Sequence, residues 1–292
     1  MLPSDNPELD IFRHIISEPQ RSDPLNLTIP VLELLHYNDE YSFVIMPRWG
    51  NADSLDQCGF DSLRTAFDFV ISLLKVLTFL HNHLIAYRDF KLSNVLVNTY
   101  FNNEFSFDYR PFLASKRAKF ALCDFNLSVR FPPDTPPSAR MCLALESECG
   151  SPQYHPPDAA NGDIMHDPFA YDVACLGGLF CEVLGYLTPL PPPLAPPLAP
   201  FLDRMITPDV SSRYTAPQAL AAFTALTERF SAKYLSKPIP QPPQEEEPLP
   251  WQSRDRWAGL PDAFIKKHTR IRPPVRPRRK VPQFEGRSYF VD

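Results

Sequence analysis

Residues 87–94 read YRDFKLSN, and the apolar run VLV follows. Eight positions bring together a guanidinium (Arg88), a carboxylate (Asp89), an ammonium (Lys91) and a carboxamide (Asn94). Phosphoryl transfer calls for residues of these types, because its catalysis is mostly neutralisation of spread negative charge and alignment of a nucleophile. A further carboxylate, Asp124, stands in LCDFNLS after an apolar run. Each residue also has an ordinary reading, since most charged side chains are solvated. Arg88 and Asp89 can simply pair, and Asp124 can cap a turn. Order and company along the chain separate the two readings.

The elements that must position these residues show as hydrophobic periods. Residues 8–17 (ELDIFRHIIS) place apolar side chains at 9, 11, 12, 15 and 16, an amphipathic helical pattern. TIPVLELL and EYSFVIM read as two short strands joined by the turn-rich HYND. The strongest helix signal covers 61–83, with Leu63, Phe67, Val70, Leu74, Leu77 and Leu80 on one face. An irregular aromatic stretch (99–118) precedes the strand-like KFALCDF, residues 172–187 read as a buried helix, and 216–234 as an alanine-rich amphipathic one. The 35 prolines, against 9 glycines, crowd 189–200 (PLPPPLAPPLAP) and 238–250 (PIPQPPQEEEPLP). Such runs predict a loop and a tail linker, because proline lacks the amide that helix interiors and central strands use.

Five landmarks in order resemble the protein kinase family, and within it the helical C-lobe. YRDFKLSN is similar to HRDxKxxN and CDFN to DFG. GSPQYHPPD (150–158) is similar to the end of the activation segment, YDVACLGG (171–178) to the start of the central helix, and Arg213 in DVSSRYTAPQAL to a late C-lobe arginine. The resemblance implies an α+β, predominantly α fold: a protein-kinase-like C-lobe with a remnant of the N-lobe comprising one helix and two strands. The expected boundaries are 1–49 for that remnant with its hinge, 50–235 for the C-lobe and 236–292 for a Pro-rich and basic, disordered tail. SDPLNLTIPVLELL and the insert at 99–118 look more like fungal kinase-like proteins than animal ones.

The resemblance also implies a role for each residue. Asp89 would orient a substrate hydroxyl and accept its proton, Lys91 would contact the γ-phosphate of ATP, and Asn94 and Asp124 would hold Mg²⁺, whose preferred ligands are hard oxygens. Leu96 would form the floor beneath adenine, Met46 would be the gatekeeper beside hinge residues 47–49, and Asp53 would reach a ribose hydroxyl. Phe12, Leu34, Tyr87 and Phe125 match a stacked apolar spine. Asp172 matches an anchor for the catalytic-loop backbone, and Asp158 with Arg213 a buried ion pair. Ser147 and Ser151 are candidate phosphosites, with Ser151 read first as structural.

Departures from the family pattern shape the functional reading. ELDIF is similar to the helix whose glutamate, Glu8 here, pairs in the family with a lysine that clamps the α- and β-phosphates. The first lysine of this sequence is Lys75, its first glycine is Gly50, and GxGxxG occurs nowhere. A charge-assisted contact to phosphate contributes about 1.5–3 kcal/mol, so this N-terminal half predicts weakened ATP binding. Asn126 takes the place of the DFG glycine, and asparagine tolerates left-handed backbone well enough to keep Asp124 aimed. PLPPPLAPPLAP stands where the family has a substrate-docking helix. A sheet this small predicts an open edge and a mobile or sticky remnant. Three readings stay open: an ATP-dependent protein Ser/Thr kinase, a catalytically inactive pseudokinase-like binding module, and a chain from an incomplete gene model.

Composition narrows the remaining classes. With 44% hydrophobic and 12% aromatic residues over 292, a sizeable core is expected rather than wholesale disorder. A net charge of −5 gives no global nucleic-acid signature. Only the basic tail offers one, with eight Lys/Arg over 266–280, as a nucleic-acid contact or a nuclear address. The six cysteines form no CxxC pair and read as reduced intracellular thiols. MLPSDNPELD has neither the basic nor the apolar region of a signal peptide. Residues 173–190 are apolar but carry Glu182 mid-segment, so they read as a buried helix rather than a membrane span. The expected partner is a protein substrate or docking partner, without membrane. The expected state is a monomer, and the expected location intracellular, cytoplasmic or nuclear.

Overall fold

The computed structural model describes residues 2–52, 59–99, 110–115, 117–148, 150, 154–156, 159, 165–185, 194–239, 255–258 and 260–268. Near its start, Asn6 and Pro7 set a helix. The Asn6 side chain accepts the Glu8 amide at 2.8 Å, and Pro7 stands in the first turn, where its missing N–H has no intrahelical acceptor. The helix that follows, α1 (Pro7–Ile16), buries Leu9, Ile11, Phe12 and Ile15, the stripe expected from periodicity.

Strand β1 (Leu2–Pro3) precedes α1, and β2 (Glu33–His36) and β3 (Tyr41–Ile45) follow it. They form an antiparallel sheet of order β1-β3-β2, with Leu34 opposite Val44 and Leu35 opposite Phe43. Two of these strands match the sequence reading. β1 escapes it because two residues cannot show an alternation. The Thr28–Val31 half of TIPVLELL leaves this sheet for the larger part of the fold, where Leu122 N–H donates to the Leu27 carbonyl (3.0 Å) and Ile29 N–H to the Leu122 carbonyl (2.8 Å). Leu35, Phe43 and Ile45 keep the outer face of β2–β3 apolar and exposed.

The core gathers around α2 (Leu63–Asn82), capped by Ser62. The single apolar stripe read from its period widens, because Phe69, Leu73, Val76 and Phe79 on other faces are also fully buried. Phe67 meets Phe223 (ring centroids 5.1 Å) and Phe69 meets Phe120 at the same distance from a different side. Three short strands, β4 (Gly50–Asn51), β6 (Val95–Val97) and β7 (Phe120–Leu122), form one antiparallel sheet. A second ladder joins β5 (Ile85–Ala86) to β8 (Val129–Arg130), and a third β9 (Cys142–Leu143) to β10 (Met165–His166). Helix α3 (Ala144–Glu148) follows β9 directly.

The later helices correct three expectations. α4 (Pro168–Val183), capped by Asp167, begins four residues earlier than its apolar run suggests. α5 (Ala195–Ile206) runs through half of the proline stretch assigned to a loop. Pro196 and Pro197 fall in its first turn, where the missing amides cost nothing. Pro200 lies deeper, at a cost of about 3 kcal/mol, but Leu198, Leu202 and Met205 are fully buried, at roughly 1.5–3 kcal/mol each. Residues 189–193 of that stretch lie outside the described residues. α6 (Ala216–Thr227) stops short of the expected 234, because the Ser231 hydroxyl accepts the Tyr234 amide (3.2 Å) and starts a new turn, Ala232–Leu235.

Part of the tail expected to be disordered is packed. Arg256 and Trp257 both donate to the fully buried Asp203 carboxylate of α5, Arg256 through Nε at 3.1 Å. Trp257 is 2% exposed and rests against Phe264 of α7 (Asp262–His268). Composition cannot show this, since the anchoring carboxylate is 53 residues away in sequence. No described helix is long and apolar enough to cross a membrane.

Candidate active site

The YRDFKLSN segment is held from below. The Asp172 carboxylate, on α4 and fully buried, accepts the Tyr87 and Arg88 amides, both at 2.7 Å, and the His81 Nε2–H at 3.0 Å. That pull turns Arg88 into left-handed backbone, φ 66°. Such a conformation costs a bulky residue on the order of 1–2 kcal/mol. The cost is offset by Arg88's fixed side chain, whose Nε–H donates to the Leu127 carbonyl at 2.6 Å and whose Nη1 meets Glu146 of α3 at 3.2 Å.

Asp89 is 1% exposed, and its neighbours in sequence converge on it. Lys91 Nζ sits 2.7 Å from Asp89 Oδ2, and Asn94 Nδ2 donates to Asp89 Oδ2 at 2.8 Å and to its backbone carbonyl at 3.0 Å. The Asn94 carbonyl accepts the Cys123 amide at 3.0 Å. This bond continues the β6–β7 ladder, in which Val95 faces Leu122, so Asn94 and Asp124 leave adjacent strand ends. Asp124 takes φ 62°. The left-handed turn expected of Asn126 is therefore two residues earlier, on the aspartate that must be aimed. Asp and Asn enter this region more readily than most residues. Asp89, Lys91, Asn94 and Asp124 are thus brought together, although 35 residues separate the first from the last.

Behind this group, Phe125 packs edge-on against Phe12 (5.5 Å) and Tyr87 (5.7 Å). Leu34 is packed against the same core, partly buried. The Tyr87 hydroxyl donates to the Cys123 carbonyl at 2.6 Å. Burial pushes the Cys123 thiol up to about 12, with Asp124's charge adding to it, so it stays protonated. Glu8 reaches the same place from α1, where its Oε1 accepts the Phe125 amide at 3.0 Å. Burial raises the Glu8 pKa above the ordinary carboxylate value, and Asp124's charge pushes the same way.

The remaining expected residues are placed less closely. Leu96 lies in β6 opposite Asn51 and Ala121, half-buried. Met46, just after β3, is 39% exposed. Asp53, Ser151 and Asp158 lie outside the described residues, and with Asp158 the expected ion pair to Arg213. Arg213 itself is buried and donates to the carbonyls of Thr207 (2.6 and 3.0 Å) and Ala170 (3.0 Å). Ser147, a candidate phosphosite, is 1% exposed and 3.2 Å from His166 Nε2, so its hydroxyl is closed to a modifying enzyme in this conformation. The sequence reading missed two residues. Glu146 carries no signal beyond a charge. Gly150 was visible as a glycine in a landmark: a Cβ there would stand 2.6 Å from the Arg88 carbonyl and 3.4 Å from Asp89 Oδ1.

A buried aspartate bridged to a lysine and an asparagine, beside a second aspartate set by a left-handed turn, on a helical lobe with a small strand layer, is the arrangement of a protein-kinase-like fold. The protein kinase domain family matches residues 29–223, two thirds of the chain. The chain belongs to the protein kinase family. No curated protein matches it.

Proposed function

We propose that this chain is a protein kinase domain in which Asp89, Lys91, Asn94 and Asp124 carry ATP- and Mg²⁺-dependent phosphoryl transfer to a protein hydroxyl, serine or threonine by the KLSN form of the loop. The observation that supports it best is the Asp89–Lys91–Asn94 knot. A chain kept only as a scaffold has no need to hold a buried carboxylate against an ammonium and a carboxamide at 2.7 and 2.8 Å. The donor set suits Mg²⁺, because Asn94 and Asp124 offer hard oxygens from neighbouring strand ends. The bound ion and ATP would supply the phosphoryl group and neutralise its charge. Asp89 would align the incoming hydroxyl and take its proton, and Lys91, bridged to Asp89, would stand over the transferring group. Met46, Leu96 and Asp53 would border the adenosine.

A second reading rests on Glu8. In the family this carboxylate pairs with the phosphate-clamping lysine, and here it engages the Phe125 amide. With no lysine before Lys75 and no GxGxxG, a non-catalytic docking module is the alternative. One experiment separates them: ATP-dependent phosphate incorporation into a generic protein substrate, with Asp89→Asn beside the parent chain. Transfer by the parent and its loss, by at least two orders of magnitude, in Asp89→Asn is the expected result. Equal or absent incorporation in both favours the docking module.

A further inference from the structure

Away from the catalytic loop, two ring nitrogens converge across the junction of α1 with the larger helical part. His14, on α1, and His83, which ends α2, face each other with Nε2 and Nδ1 3.2 Å apart and ring centroids 5.0 Å apart. The approach is held from both sides. Phe79 lies against the His83 ring (4.7 Å), and the His83 amide donates to the Phe79 and Leu80 carbonyls at 3.2 and 3.0 Å. The His14 end is held by α1, whose Ile11 and Ile15 are buried in the core.

Both rings are half-buried and neutral at neutral pH. Burial, then the Arg130 guanidinium, lowers His14 to about 4, and burial lowers His83 as well. Asp10 acts on His14 and Asp23 on His83 in the opposite sense. Neutral imidazole is the form that binds metal. Beside His83 opens a cavity of about 370 Å³, bordered by Gln20, Ser22 and Asp23, with room for solvent ligands.

We propose that His14 and His83 form a two-histidine clasp for a late first-row divalent ion, zinc or copper(II), that ties α1 to the end of α2. Two metal–nitrogen bonds of about 2.0–2.1 Å at a tetrahedral angle put the nitrogens roughly 3.3–3.4 Å apart, close to the separation already present. Without metal, one ring N–H donates to the other ring. To bind, the donor ring moves its proton to its second nitrogen, so both lone pairs face the ion and no net proton is released. Among the described residues no group of three or more histidine, cysteine or acidic side chains is arranged for a metal. Water therefore fills the other positions, the affinity is that of a two-ligand chelate, and copper(II) binds more tightly than zinc. The functional consequence runs along α1. This helix also carries Phe12 and Glu8, both in contact with Phe125, so an ion at the clasp would hold α1 in the position that sets the Asp124–Phe125 turn.

The test uses the untagged full chain, titrated with Zn²⁺ and Cu²⁺ by calorimetry and thermal unfolding, with Mg²⁺ as the control ion. The expected result is one ion per chain and a raised unfolding midpoint. Each of His14→Gln and His83→Gln loses at least tenfold in affinity, His36→Gln is unchanged, and Mg²⁺ is without effect. The copper(II) electron-spin resonance of the parent chain should show two imidazole nitrogens, a readout that does not depend on how the variants fold. Absence of binding at millimolar ion, binding that survives either substitution in a folded variant, or a copper spectrum with thiolate or a single nitrogen overturns the proposal.

Discussion

Two residues of the site work by what surrounds them rather than by their own chemistry. Gly150 has no side chain because the Arg88 carbonyl occupies the space one would need, 2.6 Å from its Cβ position. Gly150→Ala must displace either the activation segment or the catalytic loop, at about 1–3 kcal/mol. The expected outcome is a lower thermal midpoint together with reduced phosphate transfer. An unchanged midpoint would mean that the segment does not lie on the loop as described. Glu8 gives a pH test. Its carboxyl pKa is raised, first by burial, so the folded state prefers the protonated form. Its contribution to stability is then complete below the ordinary carboxylate value of 4.5 and is lost as pH rises through the higher folded value. Glu8→Gln keeps an oxygen for the Phe125 amide and carries no charge. It should unfold at a higher temperature than the parent at pH 7, with the gap closing as pH falls below about 4.5. Melting curves from pH 4 to 8 measure this, and a gap of the opposite sign would show that a cation pairs with Glu8.

Among the elements, the segment around Trp257 changes where the folded unit ends. Trp257 is buried, and with Arg256 it donates to the carboxylate of Asp203, which is fully buried. Truncation to alanine removes a large core side chain, at about 3–5 kcal/mol, and leaves that buried carboxylate one donor short. Trp257→Ala should therefore lower the urea midpoint strongly, whereas a chain whose tail does not pack would hardly respond. The helices that could be read from sequence are those with a one-sided period, such as α1. The elements that could not are those whose partner is remote. Proline counts predicted a loop where α5 forms, because a local rule about missing amides ignores the buried leucines that outweigh it. Composition likewise predicted disorder at 255–268, because it cannot register a carboxylate waiting on another helix.

For the whole molecule, assembly of the catalytic loop is distinct from nucleotide binding. The loop is held by the Asp172 carboxylate below it and by the bonds of Lys91 and Asn94 to Asp89. A nucleotide that binds the folded state alone must stabilise it by about 2.7 kcal/mol at 100 times its dissociation constant. If the proposed kinase reading holds, Mg²⁺ with ATP should raise the unfolding midpoint by several degrees, and Asp124→Asn should remove most of the magnesium-dependent part. No shift at millimolar nucleotide would favour the docking module.

The sequence by itself determined the family, the residue types of the catalytic loop and the order of the landmarks. Those depend on identity and short spacing, which a linear string preserves. The tertiary structure alone decided that Asp124 rather than Asn126 takes the left-handed turn, and that Glu8 reaches the Phe125 amide. It also decided that Gly150 must remain bare, that Ser147 is closed off, and that Trp257 belongs to the core. Each of these is a contact between residues far apart in the chain, whose geometry is set only when the helices and strands between them have packed.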